Sequence, residues 1–132
     1  MTEKMKIIDF LRENQLDAIF VQKDENCRYL SKFTGSDSYL LLTKEELYLL
    51  TDSRYTEQAR KEAADYTVVD YKGHLAEIVA KLAGEYHIKT MGVETVFSYQ
   101  MYLSFHKYMP NIEFRFSQID RLRQIKSEEE IS

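Results

Sequence analysis

The amino-acid sequence predicts a single α/β domain built on a mixed β-sheet. Its 132 residues are the length of one ordinary domain. Two β-rich runs, 38–43 and 47–51, are three residues apart, which is the spacing of an antiparallel hairpin. After residue 51 strand patterns alternate with helical patterns, and crossovers through helices place strands in parallel. A hairpin joined to such crossovers gives a sheet of mixed direction.

The first thirty residues predict a helix, a strand and a second, shorter helix. The first helix begins after Thr2, and its apolar face carries Ile7, Ile8 and Leu11. Residues 17–21 form a short apolar run typical of a strand. Asp24 and Asn26 are residues that can cap the second helix, which extends through Leu30.

The residues that follow the hairpin predict two helices with a strand between them. Asp52 and Ser53 offer N-cap oxygens for the first of these helices. The strand covers 66–71. The second helix has the clearest pattern in the chain, because its apolar residues fall three and four apart: Leu75, Ile78, Val79, Leu82, Ala83 and Tyr86.

The last elements are a strand at 90–94, a helix and a strand at 112–116. Ser98 is a suitable N-cap for this helix, and Pro110 ends it. One stripe of the helix carries Tyr99, Tyr102, Leu103 and His106. With ten tyrosines in the chain, such rings are expected either in half-buried core packing or on a partner surface.

The composition indicates a self-sufficient core and disfavours several classes of partner. Apolar residues make up 44% of the chain, so no disulfide or metal is needed to hold the fold. The net charge of −4 argues against a nucleic-acid partner. No apolar run approaches the roughly 18 residues of a membrane span, and no signal core is present. The single cysteine, Cys27, fits a reducing compartment, and we expect a cytoplasmic protein.

The sequence contains no strong motif for a metal site, a cysteine nucleophile or a phosphate-binding loop. His74, His87 and His106 are isolated, so no metal site is predicted. Cys27 is expected to be a small core residue, and the glycines lack the spacing of a phosphate-binding loop.

Four acidic residues lie at predicted strand ends: Asp17, Asp52, Asp70 and Glu94. If they converged, they could hold Mg²⁺ as in a nuclease. Alternatively they are caps and solvated loop residues, and Asp52 already has a capping role.

The C-terminal residues predict the start of another helix. Ser127 and Glu130 have the spacing of a capping box, but the sequence ends at Ser132. We therefore expect residues 1–120 to form the domain, and 121–132 to begin a linker helix to a further domain in a longer protein.

Four segments occurring in order resemble one protein family. They are RYLSKFTGS at 28–36, YLLLT at 39–43, LTDSRY at 50–55 and LRQIKS at 122–127. This set is similar to the N-terminal domain shared by Xaa-Pro dipeptidases (prolidases), Xaa-Pro aminopeptidases and creatinases. The chain departs from the family where it has SKF at 31–33 in place of Thr-Gly-Phe, and Ser53 in place of a glycine.

The resemblance implies a ribonuclease-H-like fold, with helices on both faces of the sheet. It implies a parent enzyme that cleaves the bond before proline, using two divalent metal ions (manganese, cobalt or zinc) held by a C-terminal catalytic domain. This chain would then be non-catalytic and bind no metal. Its partners would be that catalytic domain, a second subunit in a homodimer, and short proline-containing peptides.

The resemblance further implies a role in shaping the entrance of the active site. The candidate rim or interface residues are Phe33, Gly35, Ser36, Asp37, Asp52, Arg54 and Tyr55. Arg54 could form a local ion pair with Asp52 or reach across an interface, and its planar guanidinium suits carboxylates, including that of a peptide C-terminus. A creatinase and a stand-alone protein-interaction module remain alternative functions.

Overall fold

The computed structural model describes residues 3–35 and 37–124. The helices are α1 Glu3–Glu13, α2 Asp24–Ser31, α3 Thr56–Glu62, α4 Leu75–Glu85, α5 Tyr99–Tyr108 and α6 Arg121–Gln124. The strands are β1 Ala18–Val21, β2 Tyr39–Thr43, β3 Leu47–Thr51, β4 Thr67–Asp70, β5 Thr90–Val93 and β6 Glu113–Phe116. A 3₁₀ helix, Ser53–Tyr55, precedes α3. Each strand and each helix predicted before residue 120 is confirmed, with ends that differ by a few residues.

The strands form one mixed sheet in the order β4-β3-β2-β1-β5-β6. Strand β2 is antiparallel to both of its neighbours, β1 and β3, while the other neighbouring pairs are parallel. The N-terminal end of β2 therefore lies at the same edge as the C-terminal ends of the other five strands. We call this side of the sheet the carboxyl edge.

Helices cover both faces of the sheet, as expected. On one face α1, α2, α3 and α6 pack on alternate residues of the central strands, among them Ile19, Leu40 and Leu49. On the other face α4 and α5 cover the intervening residues, including Phe20, Leu41 and Leu50. The central strands are buried on both sides, which explains why they read as continuous apolar runs.

Helix starts differ from the prediction at α2 and agree with it at α5. Ser98 caps α5, since its Oγ accepts a hydrogen bond from the Met101 N–H at 3.0 Å. The N-cap of α2 is Lys23, which makes no side-chain capping bond, so the capping role expected of Asp24 and Asn26 is wrong. A carboxylate from the end of β5 instead accepts the N–H groups of Gln22 and Lys23, just before the helix.

Two further expectations concern the C-terminal linker helix and the lack of a membrane-spanning segment. The capping box of Ser127 and Glu130 lies outside the described residues, as does most of the predicted linker at 121–132. Helix α6 lies at the start of that range and packs near α1 and α2. No helix within the described ranges is long and apolar enough to cross a bilayer.

Candidate active-site rim

The predicted rim residues lie on two loops at the carboxyl edge. One loop joins α2 to β2, and the other is the 3₁₀ turn after β3. They meet because β2 is antiparallel to β3, so the start of β2 lies beside the end of β3. The first loop carries Phe33, Gly35 and Asp37; Ser36 lies outside the described residues.

Phe33 anchors the first loop in the core. Its side chain is 1% exposed and packs edge-on against the Tyr55 ring, with 6.4 Å between centroids. A Cβ added to Gly35 would lie 2.3 Å from the Phe33 ring. A larger residue at position 35 would therefore force the buried ring or the loop to shift.

A polar latch, formed by Thr34, Gln58 and Glu62, fastens the same loop to α3. The Thr34 N–H and hydroxyl donate to Glu62 Oε1 at 2.8 and 2.9 Å. Gln58 donates to the other Glu62 oxygen at 3.0 Å and to the Thr34 hydroxyl at 3.3 Å. The Thr34 N–H, followed by the two side-chain donors, lowers the pKa of Glu62. Sequence reasoning missed this latch, for which the i,i+4 pair Gln58 and Glu62 was the available signal.

Asp37 ends the loop in a left-handed conformation, with φ of 55°. Its carbonyl oxygen accepts a hydrogen bond from the Tyr71 hydroxyl at 3.4 Å. Tyr71 also packs edge-on against Tyr39, which stacks on the buried Phe20 ring. Aromatic packing thus holds this end of the loop against β2.

Asp52 and Arg54 form the local ion pair that the sequence suggested. Asp52 caps the 3₁₀ helix by accepting the Arg54 N–H at 2.9 Å, and the same oxygen lies 3.1 Å from Arg54 Nε. The Arg54 N–H and then its guanidinium lower the pKa of Asp52. The guanidinium lies over the Tyr55 ring, 5.3 Å from the centroid. The Arg54 side chain remains 67% exposed. Its guanidinium, oriented by Asp52 and Tyr55, therefore faces solvent at the carboxyl edge.

A second polar cluster lies further along the carboxyl edge, around Glu94. Glu94 is 3% exposed and accepts hydrogen bonds from the backbone N–H groups of Gln22 and Lys23 and from the Asn26 amide. Asn26 also donates to Asp120 at 2.8 Å, and Lys23 Nζ lies 3.0 Å from that carboxylate. Glu94 thereby satisfies donors just before α2 and the Asn26 side chain in its first turn.

Beside this second cluster lies an open cleft of about 580 Å³. It is lined in part by Lys23, Glu94, Phe116, Asp120 and Arg121. The Glu94 and Asp120 carboxylates that line this cleft already accept hydrogen bonds from donors of the protein itself.

The four acids of the nuclease hypothesis are not brought together. Asp17 lies at the opposite end of the sheet from Glu94, where it accepts the N–H groups of Lys89 and Thr90 at 2.9 and 3.1 Å. Asp70 accepts the N–H of Lys72 in its own turn. Within the described ranges no group of three or more metal-ligating side chains can hold a metal ion. The four acids therefore do not form the converged site that the nuclease hypothesis requires.

The isolated residues are placed largely as expected. Cys27 is buried between α2 and the sheet, with its Sγ near the carbonyl oxygens of Val21 and Ser38. Burial, followed by the negative charge of Glu94, raises the pKa of its thiol well above the usual range. Cys27 is therefore a core residue, as predicted. The histidine His106 stacks on Tyr102, with 5.5 Å between ring centroids.

Comparison with known proteins identifies the family. Residues 5–125 match the creatinase/prolidase N-terminal domain. The chain belongs to this family. It is 33% identical over 137 aligned positions to the Xaa-Pro dipeptidase of Pyrococcus horikoshii, covering 99% of this chain and 37% of that one.

Solved structures agree with this assignment. The Xaa-Pro dipeptidase from Bacillus anthracis superposes with a TM-score of 0.86 at 30% identity, over 98% of this chain and 37% of that one. The N-terminal domain of cytoplasmic peptidase PepQ from Mycobacterium tuberculosis gives a TM-score of 0.82 at 27% identity, over 92% and 98% of the two chains. This family member thus spans about a third of the length of the dipeptidases it matches.

Proposed function

We propose that this chain is a non-catalytic N-terminal domain of an Xaa-Pro peptidase, and that its rim shapes the active-site entrance. The observation that carries the proposal is family membership combined with a match to about a third of the length of named Xaa-Pro dipeptidases. The catalytic domain of the same longer polypeptide would supply the chemistry, with two divalent ions (manganese, cobalt or zinc) bound there. By analogy with the named cytoplasmic peptidase, the location would be the cytoplasm.

The rim cluster, which comprises the α2–β2 loop and Asp52, Arg54 and Tyr55, supports the entrance role. The loop is fastened at three points, by the buried Phe33 ring, by the latch to α3 and by Tyr71. A rim held in this way can restrict access without itself moving. Arg54, oriented by Asp52 and by the Tyr55 ring, presents a cation suited to a peptide carboxylate.

The same proposal includes dimerisation with a second subunit. The rim of one subunit could then border the entrance of its own catalytic domain or that of its neighbour. Short proline-containing peptides are the proposed ligands of the whole enzyme.

Assay of the purified 132-residue chain tests its non-catalytic role. The chain is incubated with Mn²⁺, Co²⁺ or Zn²⁺ and an Xaa-Pro dipeptide, and release of free proline is measured. We expect no hydrolysis above buffer with any of the metals. Xaa-Pro cleavage that copurifies with the folded chain would refute the proposal.

Related assays address the alternative functions. A longer parent that hydrolyses creatine in preference to an Xaa-Pro dipeptide would identify a creatinase. Cleavage of nucleic acid by the chain with Mg²⁺ would revive the nuclease hypothesis. A chain that occurs naturally without a catalytic domain would favour the interaction module.

A further inference from the structure

Among the residues that the structure describes, none pairs with the outer backbone edge of β6 at one end of the sheet. It pairs with β5 and is the last strand in the order. The N–H groups of Glu113 and Ser117 donate to carbonyls on the β5 side at 2.8 and 2.9 Å. Because backbone groups alternate in direction along a strand, the N–H and C=O groups of Phe114 and Phe116 point outward. Exposed edges of this kind are templates for pairing with another strand.

The side chains along this edge on the α5 face are aromatic and poorly covered. We define the aromatic edge as Tyr99, Tyr102, Phe114 and Phe116. Tyr99 is 75% exposed and Phe116 is 70% exposed. Tyr102 packs edge-on against Phe114 at 5.8 Å, and a groove of about 300 Å³ lies between α5 and β6. Most of the stripe on α5 is thus exposed to solvent, and only the part that faces β6 packs against the rest of the protein.

Charges along the edge are balanced, in a molecule whose net charge is −4. Residues 95–112 contain no Asp or Glu. On the face opposite the aromatic edge, Glu113 and Arg115 form an ion pair and are 58% and 43% exposed. The β6 region is therefore a place where two acidic copies can meet without like-charge repulsion.

We propose that two copies of this chain associate by antiparallel pairing of their β6 strands about a two-fold axis at Phe114. This inference rests on the proposed function and deepens its dimerisation part by naming the surface that carries it. In this register Phe114 lies opposite Phe114 of the second copy, and Glu113 lies opposite Arg115 of the second copy. Both copies then form a continuous twelve-stranded sheet, made of two six-stranded sheets.

The backbone is compatible with an axis at Phe114, and the charges favour it over an axis at either neighbouring residue. Outward-facing residues form the hydrogen-bonded pairs of an antiparallel ladder, so an axis at Phe114 lets its N–H and C=O groups bond to their symmetry mates. An axis at Arg115 would place Arg115 opposite itself, and an axis at Glu113 would do the same for Glu113. Like charges directly opposite each other destabilise a ladder, whereas opposite charges stabilise it.

The aromatic edge adds the apolar contact that a four-residue strand lacks. A two-fold axis normal to the sheet keeps α5 of both copies on the same face. Phe114 then lies beside Phe114 of the second copy, and Phe116 lies opposite Ile112 of the second copy. Specific dimers bury about 800 Å² per partner, more than the backbone of a short strand supplies, so the contacts of Phe114 and Phe116 with the second copy are part of the interface.

Sedimentation velocity on the 132-residue chain, over a range of concentrations, tests the pairing. We expect a concentration-dependent dimer for the wild type. Arg115→Glu places Glu opposite Glu113 and should raise the dimer Kd by about tenfold or more. The double variant E113R/R115E restores opposite charges across the axis and should return the Kd to within about threefold of wild type.

Circular dichroism melting of each variant confirms that the monomer remains folded, because Arg115→Glu also breaks the ion pair within one copy. A dimer that is insensitive to Arg115→Glu, or that the double variant fails to restore, overturns the pairing. A wild-type chain that stays monomeric at high concentration also overturns it and leaves the edge to another occupant, such as the rest of a longer polypeptide. Those outcomes leave the non-catalytic role intact, since the proline-release assay tests that role separately.

Discussion

At the scale of single residues, Gly35 is fixed by the Phe33 ring rather than by its own backbone conformation. Gly35→Ala would place a methyl group 2.3 Å from the buried ring. Relief requires Phe33 to leave its position or the rim loop to shift, and overpacking of this kind costs roughly 1–3 kcal/mol. We expect a lower free energy of unfolding in a urea titration followed by circular dichroism.

Gly84→Ala is the matched control for this change. Gly84 lies within α4, and an added Cβ meets nothing within 4 Å. Alanine there should stabilise the chain by about 0.5–1 kcal/mol, because glycine is costly inside a helix. Equal effects at the two positions would show that the Phe33 contact does not constrain the loop.

Local chemistry explains which residue-level predictions succeed. The Asp52–Arg54 ion pair and the Ser98 cap join residues two and three apart, so the sequence order itself implies them. Phe33 shows the limit of this reasoning, because it lies in a polar loop segment but its ring is buried by Tyr55, which is 22 positions away. Burial that depends on distant residues cannot be read from a local pattern.

At the scale of elements, Glu94 connects the end of β5 to the start of α2. Glu94→Ala would leave three donors without their acceptor, namely two backbone N–H groups and the Asn26 amide. Each buried donor left without a partner costs about 1–3 kcal/mol, so we expect a loss of roughly 3 kcal/mol in unfolding free energy. Hydrogen exchange should show the largest loss of protection in the first turn of α2.

The control for this prediction is Asp65→Ala, which removes an exposed carboxylate from the turn between α3 and β4. It should change the unfolding free energy by less than about 0.5 kcal/mol. If Glu94→Ala were equally mild, the carboxylate would not be what holds α2 to the sheet.

Helix α2 shows why one capping prediction was wrong. Asp24 and Asn26 have suitable side chains, and the neighbouring sequence contains no sign of a distant acceptor at the helix start. The acceptor is Glu94, which lies 71 positions from Lys23 and follows β5, a strand that becomes a neighbour of β1 only when the parallel crossover forms. The hairpin of β2 and β3 was predictable because its pairing is local.

At the scale of the whole molecule, one antiparallel strand determines where the rim is. Reversal of β2 brings the α2–β2 loop to the carboxyl edge, beside the turn that holds Arg54. The mixed sheet with helices on both faces is confirmed, and the ribonuclease-H-like assignment stays a prediction. The pattern of strands indicated the fold class, whereas the meeting of the two rim loops depends on the strand order β4-β3-β2-β1-β5-β6.

The central claim is that this domain takes part in peptide handling without catalysis, and steady-state kinetics of the proposed longer Xaa-Pro peptidase test it most directly. Arg54→Ala is compared with Arg60→Ala, which removes an exposed cation from α3 outside the rim cluster. We expect Arg54→Ala to raise KM for an Xaa-Pro dipeptide about fivefold, the size of one exposed charged contact, with little change in kcat. Arg60→Ala should match wild type. Unchanged KM for Arg54→Ala, or equal effects of both variants, would contradict the account.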